Sequence, residues 1–133
     1  MSTEFSTKSA VDFTIQREKN RVVKVTTNSS LVNHFLDLMQ TTRTHNTWVN
    51  YAHDLKVFFK VIPKLPEKII RSDCLDFIKQ QSQDGYADAT INRRLAAVSS
   101  LFSELCLLEP NSFPINPVQP QTRLRGTQRR SQS

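Results

Sequence analysis

The stretch DATINRRLAAVSSLF, residues 88–102, has its strongest hydrogen-bond donors at one end. Asn92, Arg93 and Arg94 fall in the first turns of a predicted helix, with Thr90 just before them, and the following residues are apolar or very small. A helix N-terminus attracts anions because its free N–H groups and the helix dipole are positive there. Arginine and asparagine also donate to phosphate oxygens and base edges. These features are typical of a helix that enters a DNA major groove.

A second predicted helix has a similar N-terminal end. Asn46, Asn50 and His53 share a polar side, away from the stripe that Trp48 and Tyr51 begin. We interpret the aromatic residues as core because they recur at helical spacing. Two helices with polar first turns favour DNA binding more than either helix alone. The residues of this second helix that we expect to contact DNA are Arg43, Thr47, Asn50 and Lys56.

The arginines of the fourth helix also have an ordinary explanation. Arg93 and Arg94 could be solvated, or could pair with Asp84 and Asp88. Exposed pairs of this kind contribute only about 0–1 kcal/mol and would be unremarkable surface features. The residue pattern alone leaves this alternative open.

The reactive side chains do not form a catalytic or metal-binding pattern. His34, His45 and His53 lack metal-ligand spacing to each other or to the two cysteines, Cys74 and Cys106. We interpret the cysteines as reduced, buried thiols of an intracellular protein. We therefore expect no catalytic residue, no metal ion and no cofactor.

The hydropathy pattern argues against a membrane or secreted protein. No stretch approaches the roughly 20 apolar residues of a membrane span. The N-terminus has no apolar signal region. We expect a cytoplasmic, DNA-associated protein with no membrane partner.

Four stretches have apolar residues at helical spacing, with boundary signals between them. Thr44 is a good N-cap for the second helix, which Pro63 ends. Ser72 is the predicted N-cap of the third helix, and Gly85 its C-terminal cap. The fourth begins near Asp88, and its apolar face comprises Ile91, Leu95, Val98, Phe102 and Leu105. The predicted fold class is all-α, with four helices around one compact core.

The net charge of +6 is unevenly distributed over the 133 residues. Residues 1–40 carry five basic and four acidic side chains, and residues 41–109 carry nine and eight. Residues 110–133 carry four arginines and no acid. The predicted folded body is therefore nearly neutral, and nucleic-acid binding by it must be argued from local placement of charge.

We divide the chain at residues 28 and 118. In residues 1–28, VDFTIQ and RVVKVTT could pair as a hairpin, but an isolated hairpin is marginal in water, so a flexible or weakly ordered arm is favoured. Residues 29–118 are the predicted helical domain. Residues 119–133 are a basic linker or tail without the apolar content to fold alone.

Three segments occur in a fixed order between residues 44 and 118: THNTWVNYAHDLKVFFKVI, then IIRSDCLDFIKQQSQDGYADATINRRLAAVSSLFSEL, then INPV. Together they resemble the core-binding domain of tyrosine recombinases of the phage-integrase type, over about residues 30–118. The matching positions are Thr47, Tyr51, Asp54, Leu55, Phe58, Asp73, Phe77, Thr90 to Leu95, and Asn116-Pro117.

The resemblance implies a four-helix bundle of two crossed helical hairpins that grips duplex DNA beside the strand-exchange site. Its partners would be double-stranded DNA and, once assembled on DNA, other recombinase protomers. The isolated chain would be a monomer. The resemblance implies that the residues in contact with DNA are Thr47, Asn50, Lys56, Thr90, Asn92, Arg93 and Arg94.

The catalytic residues of that family have no counterpart in this sequence. The family's chemistry uses two arginines, a lysine, a His-x-x-Arg pair and a nucleophilic tyrosine in a separate domain. None of the three histidines begins a His-x-x-Arg sequence, and Tyr51 belongs to the apolar stripe. We therefore expect this chain to have no enzymatic activity.

Two further functions remain as alternatives. The small residues between positions 96 and 103 would suit a helical protein-interaction module. A helix-turn-helix transcriptional regulator is the other alternative, although the long helices argue against it.

Overall fold

The computed structural model describes residues 10–119, which contain two strands and four α-helices. Strands β1 (Phe13–Glu18) and β2 (Arg21–Thr27) form an antiparallel hairpin. The helices are α1 (Ser30–Thr42), α2 (His45–Val61), α3 (Arg71–Gln83) and α4 (Asp88–Leu108). A short 3₁₀ turn, Pro66–Lys68, lies between α2 and α3.

The predicted helix boundaries at Thr44 and Gly85 are confirmed. The Thr44 hydroxyl accepts a hydrogen bond from the Thr47 backbone N–H at 3.2 Å, which satisfies one free donor of α2. Helix α2 ends before Pro63, which has no N–H to continue it. Gly85 has a φ of 93°, which is energetically unfavourable for any residue that has a Cβ atom.

The predicted N-cap of α3 is wrong. The helix begins at Arg71, so Ser72 lies inside it and Ile70 occupies the cap position. The Asp73 carboxylate accepts the Ile70 backbone N–H at 2.9 Å and also pairs with Lys64 at 2.8 Å. Asp73 lies in the first turn of the helix and caps it by accepting this N–H of the N-cap residue. A search for a hydroxyl side chain at the N-cap position does not find such a cap.

The core lies where α2 and α4 pack together, with α1 and α3 against them. All five residues predicted for the apolar face of α4 are buried. Phe58 of α2 stacks edge-on with Phe59 and contacts Phe77 of α3 at 5.1 Å between ring centroids. The two long helices thus form a fixed platform for the polar side chains on their outer faces.

The all-α expectation misses the β-hairpin, and residues 13–27 do not form the flexible arm that the sequence favoured. Val22 and Val25 are buried against the helices, and the Phe13 ring lies 6.4 Å from that of Phe59. The Asn33 side chain of α1 accepts the Thr27 backbone N–H at 2.7 Å. A hairpin that is marginal alone is stabilised here by burial of its apolar face on the helical body.

The segment after α4 turns back along that helix. The Phe113 ring lies 6.1 Å from Phe102. The Asn116 side chain donates to the Ser99 carbonyl at 2.9 Å and to the Ser103 hydroxyl at 3.1 Å. Part of the small-residue face of α4 is therefore covered by the chain itself.

Candidate nucleic-acid interface

The outer faces of α2 and α4 meet in a shallow depression of about 230 Å³, which we call the interhelical depression. It brings together Thr47 and Asn50 of α2 with Arg93 of α4. Arg93 is more than 40 positions along the chain from Thr47 and Asn50, and all three are DNA contacts predicted from the sequence. The depression is lined by Thr47, Asn50, Tyr51, Asp54, Arg93, Ala96 and Ala97.

Arg93 is held in place by a buried carboxylate. Its Nη2 donates to Oδ1 of Asp54 at 2.9 Å, and the Asp54 side chain is 5% exposed while that of Arg93 is 60% exposed. The structure pairs Arg93 with Asp54, and not with Asp84 or Asp88, which the sequence offered as partners. A guanidinium has five N–H donors, so the ion pair leaves others facing solvent.

Arg94 points into the protein and is only 12% exposed. It donates to the Gln81 side chain, and its guanidinium carbon lies 4.3 Å from the centre of the Tyr86 ring. Its Nε is 4.0 Å from Asp54. These contacts tie α4 to α3 and to the turn between them, so the geometry favours a structural role for Arg94.

Four other predicted contacts, Thr90, Asn92, Lys56 and Arg43, do not line the interhelical depression. Thr90 and Asn92 are half-buried in the first two turns of α4. Lys56 is exposed farther along α2. Arg43 is exposed just before α2 and lines a neighbouring depression between α1 and α4.

A second depression beside α2 was missed by the sequence analysis. This hairpin groove, about 450 Å³, lies between the hairpin and α2 and shares Asn50 with the interhelical depression. Burial and the charges of Arg17 and Lys56 lower the pKa of His53 within it. The sequence signal for this groove was the alternation of apolar and polar residues in β2, which indicates a strand. That alternation does not show which surface of the helices the hairpin covers. The groove is lined by Arg17, Asn20, Arg21, Val22, His45, Asn46, Val49, Asn50 and His53.

Comparison with protein-family models gives a match over residues 32–107 to the phage integrase N-terminal SAM-like domain. The match covers more than half of the chain, from α1 to the last turn of α4. The chain belongs to this family. The resemblance to tyrosine recombinases is thereby confirmed, and the family suggests a DNA-binding role in recombination. No curated protein and no solved structure matched the chain.

The hairpin and the exit segment lie outside the matched part of this integrase-family domain. The matching family model describes the N-terminal domain of integrases and not their catalytic domain. The hairpin groove is therefore a feature of this chain that the family match does not cover.

The described residues of this integrase-family domain offer little for metal or covalent chemistry. Within residues 10–119, no three His, Cys, Asp or Glu side chains converge in a way that could hold a metal ion. Burial, with a smaller effect of the Asp73 charge, raises the pKa of the Cys74 thiol to about 12. A thiol with this pKa stays protonated at neutral pH and is a poor nucleophile.

The helices of residues 10–119 include none that is both long enough and apolar enough to span a bilayer.

Proposed function

We propose that this domain binds duplex DNA as the core-binding domain of a site-specific tyrosine recombinase, through the outer faces of α2 and α4. The observation that carries the proposal is the convergence of Thr47, Asn50 and Arg93 on the interhelical depression, with Arg93 fixed by Asp54. These side chains supply hydroxyl, amide and guanidinium donors at one place.

The Asp54–Arg93 pair supports the proposal on energetic grounds. A free arginine loses up to about 2 kcal/mol of side-chain entropy when it is ordered against a partner. Arg93 is already ordered by Asp54 before any DNA arrives. Ala96 and Ala97, which line the same depression, leave room for a DNA backbone to approach the helix closely.

The resemblance to tyrosine recombinases supports the finer parts of the proposal. The two helical hairpins, α1–α2 and α3–α4, would cross, and the domain would form one arm of a clamp around the duplex beside the strand-exchange site. Strand cleavage would belong to the catalytic domain of the parent recombinase, and other protomers would join on DNA. A cytoplasmic location would follow from this role.

A binding titration tests the proposal. A labelled random duplex is titrated with the full chain at several salt concentrations, and binding is followed by fluorescence anisotropy. We expect Arg93→Gln to weaken binding and to reduce the slope of log K against log salt by about 0.9, the value for one phosphate contact.

Lys79→Gln is the matched control, because Lys79 is exposed on α3 and lines neither the interhelical depression nor the hairpin groove. It removes the same charge from another surface. If Arg93→Gln and Lys79→Gln behave alike, the interhelical depression is not the DNA-binding surface.

A protein-interaction module is the second candidate, and one feature favours it. Leu107 is 80% exposed, and it lines the depression between α1 and α4 together with Ser99, Ser100 and Ser103. Light scattering with and without duplex distinguishes the candidates. Oligomers that form without DNA would favour interaction as the primary role, and a monomer would favour DNA binding.

A further inference from the structure

The hairpin groove concentrates positive and amide side chains from two elements that are distant in sequence. Arg17 and Arg21 come from the two strands of the hairpin, and His45, Asn46 and His53 come from α2. Among the residues that the structure describes, no Asp or Glu lines the groove. A polar, acid-free depression with two arginines has the chemistry of an anion-binding surface.

The hairpin holds these arginines on a fixed framework. Lys19 and Asn20 form its turn with positive φ values of 51° and 66°, as a tight two-residue hairpin turn requires. The register is irregular between Gln16 and Arg17, and such a bulge increases the local twist and redirects the next side chain. Val22, one residue beyond Arg21, is buried on the helical body.

The pKa of His53, which lines the groove, reflects the same basic side chains. Burial has the largest effect in lowering its pKa, and the charges of Arg17 and Lys56 lower it further, against the opposing charge of Asp54. The imidazole is therefore close enough to Arg17 of the hairpin and Lys56 of α2 for both charges to affect its pKa. An anion in the groove would be attracted by the same charges.

We propose that the hairpin groove binds the phosphodiester backbone of the same duplex that contacts α2 and α4, and so extends the DNA-binding surface of this domain. The inference rests on the proposed function. Asn50 lines both depressions, so the two form one continuous surface along the exposed side of α2. A duplex lying on that surface would bring its backbone past the hairpin.

Charge removal on the hairpin tests this inference in the full chain. In the anisotropy titration with a labelled random duplex, Arg17→Gln/Arg21→Gln is compared with Lys24→Gln/Lys79→Gln. Both double variants lose two positive charges. Lys24 is exposed on the same strand as Arg21 but does not line the groove.

We expect the arginine variant to reduce the log–log salt slope by about 1.8, because two phosphate contacts are lost at about 0.9 each. The lysine variant should keep the wild-type slope. Circular dichroism and thermal unfolding of both variants verify that the hairpin remains folded.

The outcomes separate this inference from the proposed function. If the two double variants have the same slope while Arg93→Gln still weakens binding, the hairpin groove does not contact DNA and the proposed function stands. If the wild-type chain fails to bind duplex even at low salt, the proposed function fails and the inference fails with it.

Discussion

At the scale of single residues, Asp54 organises the candidate interface. It is buried, it pairs with Arg93 at 2.9 Å, and it lies 4.0 Å from Arg94. The Arg93 side chain faces solvent, whereas the Arg94 side chain faces the protein interior. The adjacent sequence positions 93 and 94 therefore have different roles, which the sequence could not show because Asp54 is 39 residues away from Arg93.

Replacing Asp54 with asparagine should destabilise the fold. The change keeps the shape of the side chain but removes the charge that balances Arg93 and the mostly buried Arg94. We expect Asp54→Asn to reduce the free energy of unfolding by about 1–3 kcal/mol, since removing one partner leaves a charged group under-satisfied. Urea denaturation measures this change.

The control for Asp54→Asn is Asp76→Asn, an exposed carboxylate on the surface of α3. Surface changes of this kind usually stay within about 0.5 kcal/mol. Equal stability of the two variants would show that the Asp54 ion pairs do not stabilise the domain.

At the scale of elements, the helices were easier to predict than the strands. The apolar spacing of α4 and the Thr44 cap are local signals, and both were confirmed. The hairpin cannot be predicted from its own sequence, because its stability depends on burial of Val22 and Val25 against helices elsewhere in the chain. The predicted N-cap of α3, Ser72, lies two positions after the observed one, Ile70, because Asp73 caps the helix from inside its first turn.

The hairpin turn offers a stabilising substitution. Asn20 has a φ of 66°, a region that glycine occupies without steric cost. We expect Asn20→Gly to raise the free energy of unfolding by a few tenths to about 1 kcal/mol, since Lys-Gly suits this turn better than Lys-Asn. Thermal unfolding by circular dichroism measures the gain.

Lys24→Gly serves as the comparison for Asn20→Gly, since position 24 lies inside strand β2. Glycine within a strand destabilises by roughly 0.5–1 kcal/mol. A loss of stability in both variants would contradict the turn geometry described for residues 19 and 20.

At the scale of the whole molecule, charge placement matters more than net charge. The helical body is almost neutral, and much of the +6 comes from the four arginines of residues 110–133. The predicted linker, residues 119–133, lies almost entirely outside the described residues. The DNA-binding proposal therefore depends on the local grouping of donors along α2 and α4, and the sequence could predict the donors but not that Thr47, Asn50 and Arg93 share one depression.

The most direct test of the proposed DNA-binding surface is NMR titration of the ¹⁵N-labelled full chain with a short duplex. The amides whose chemical shifts change identify the surface that contacts DNA. We predict that they cluster in residues 43–56 of α2 and its approach, in the first turns of α4, and along the hairpin groove. Changes confined to residues 120–133, or to the exposed face of α3, would contradict the assignment of this surface as the DNA-binding site.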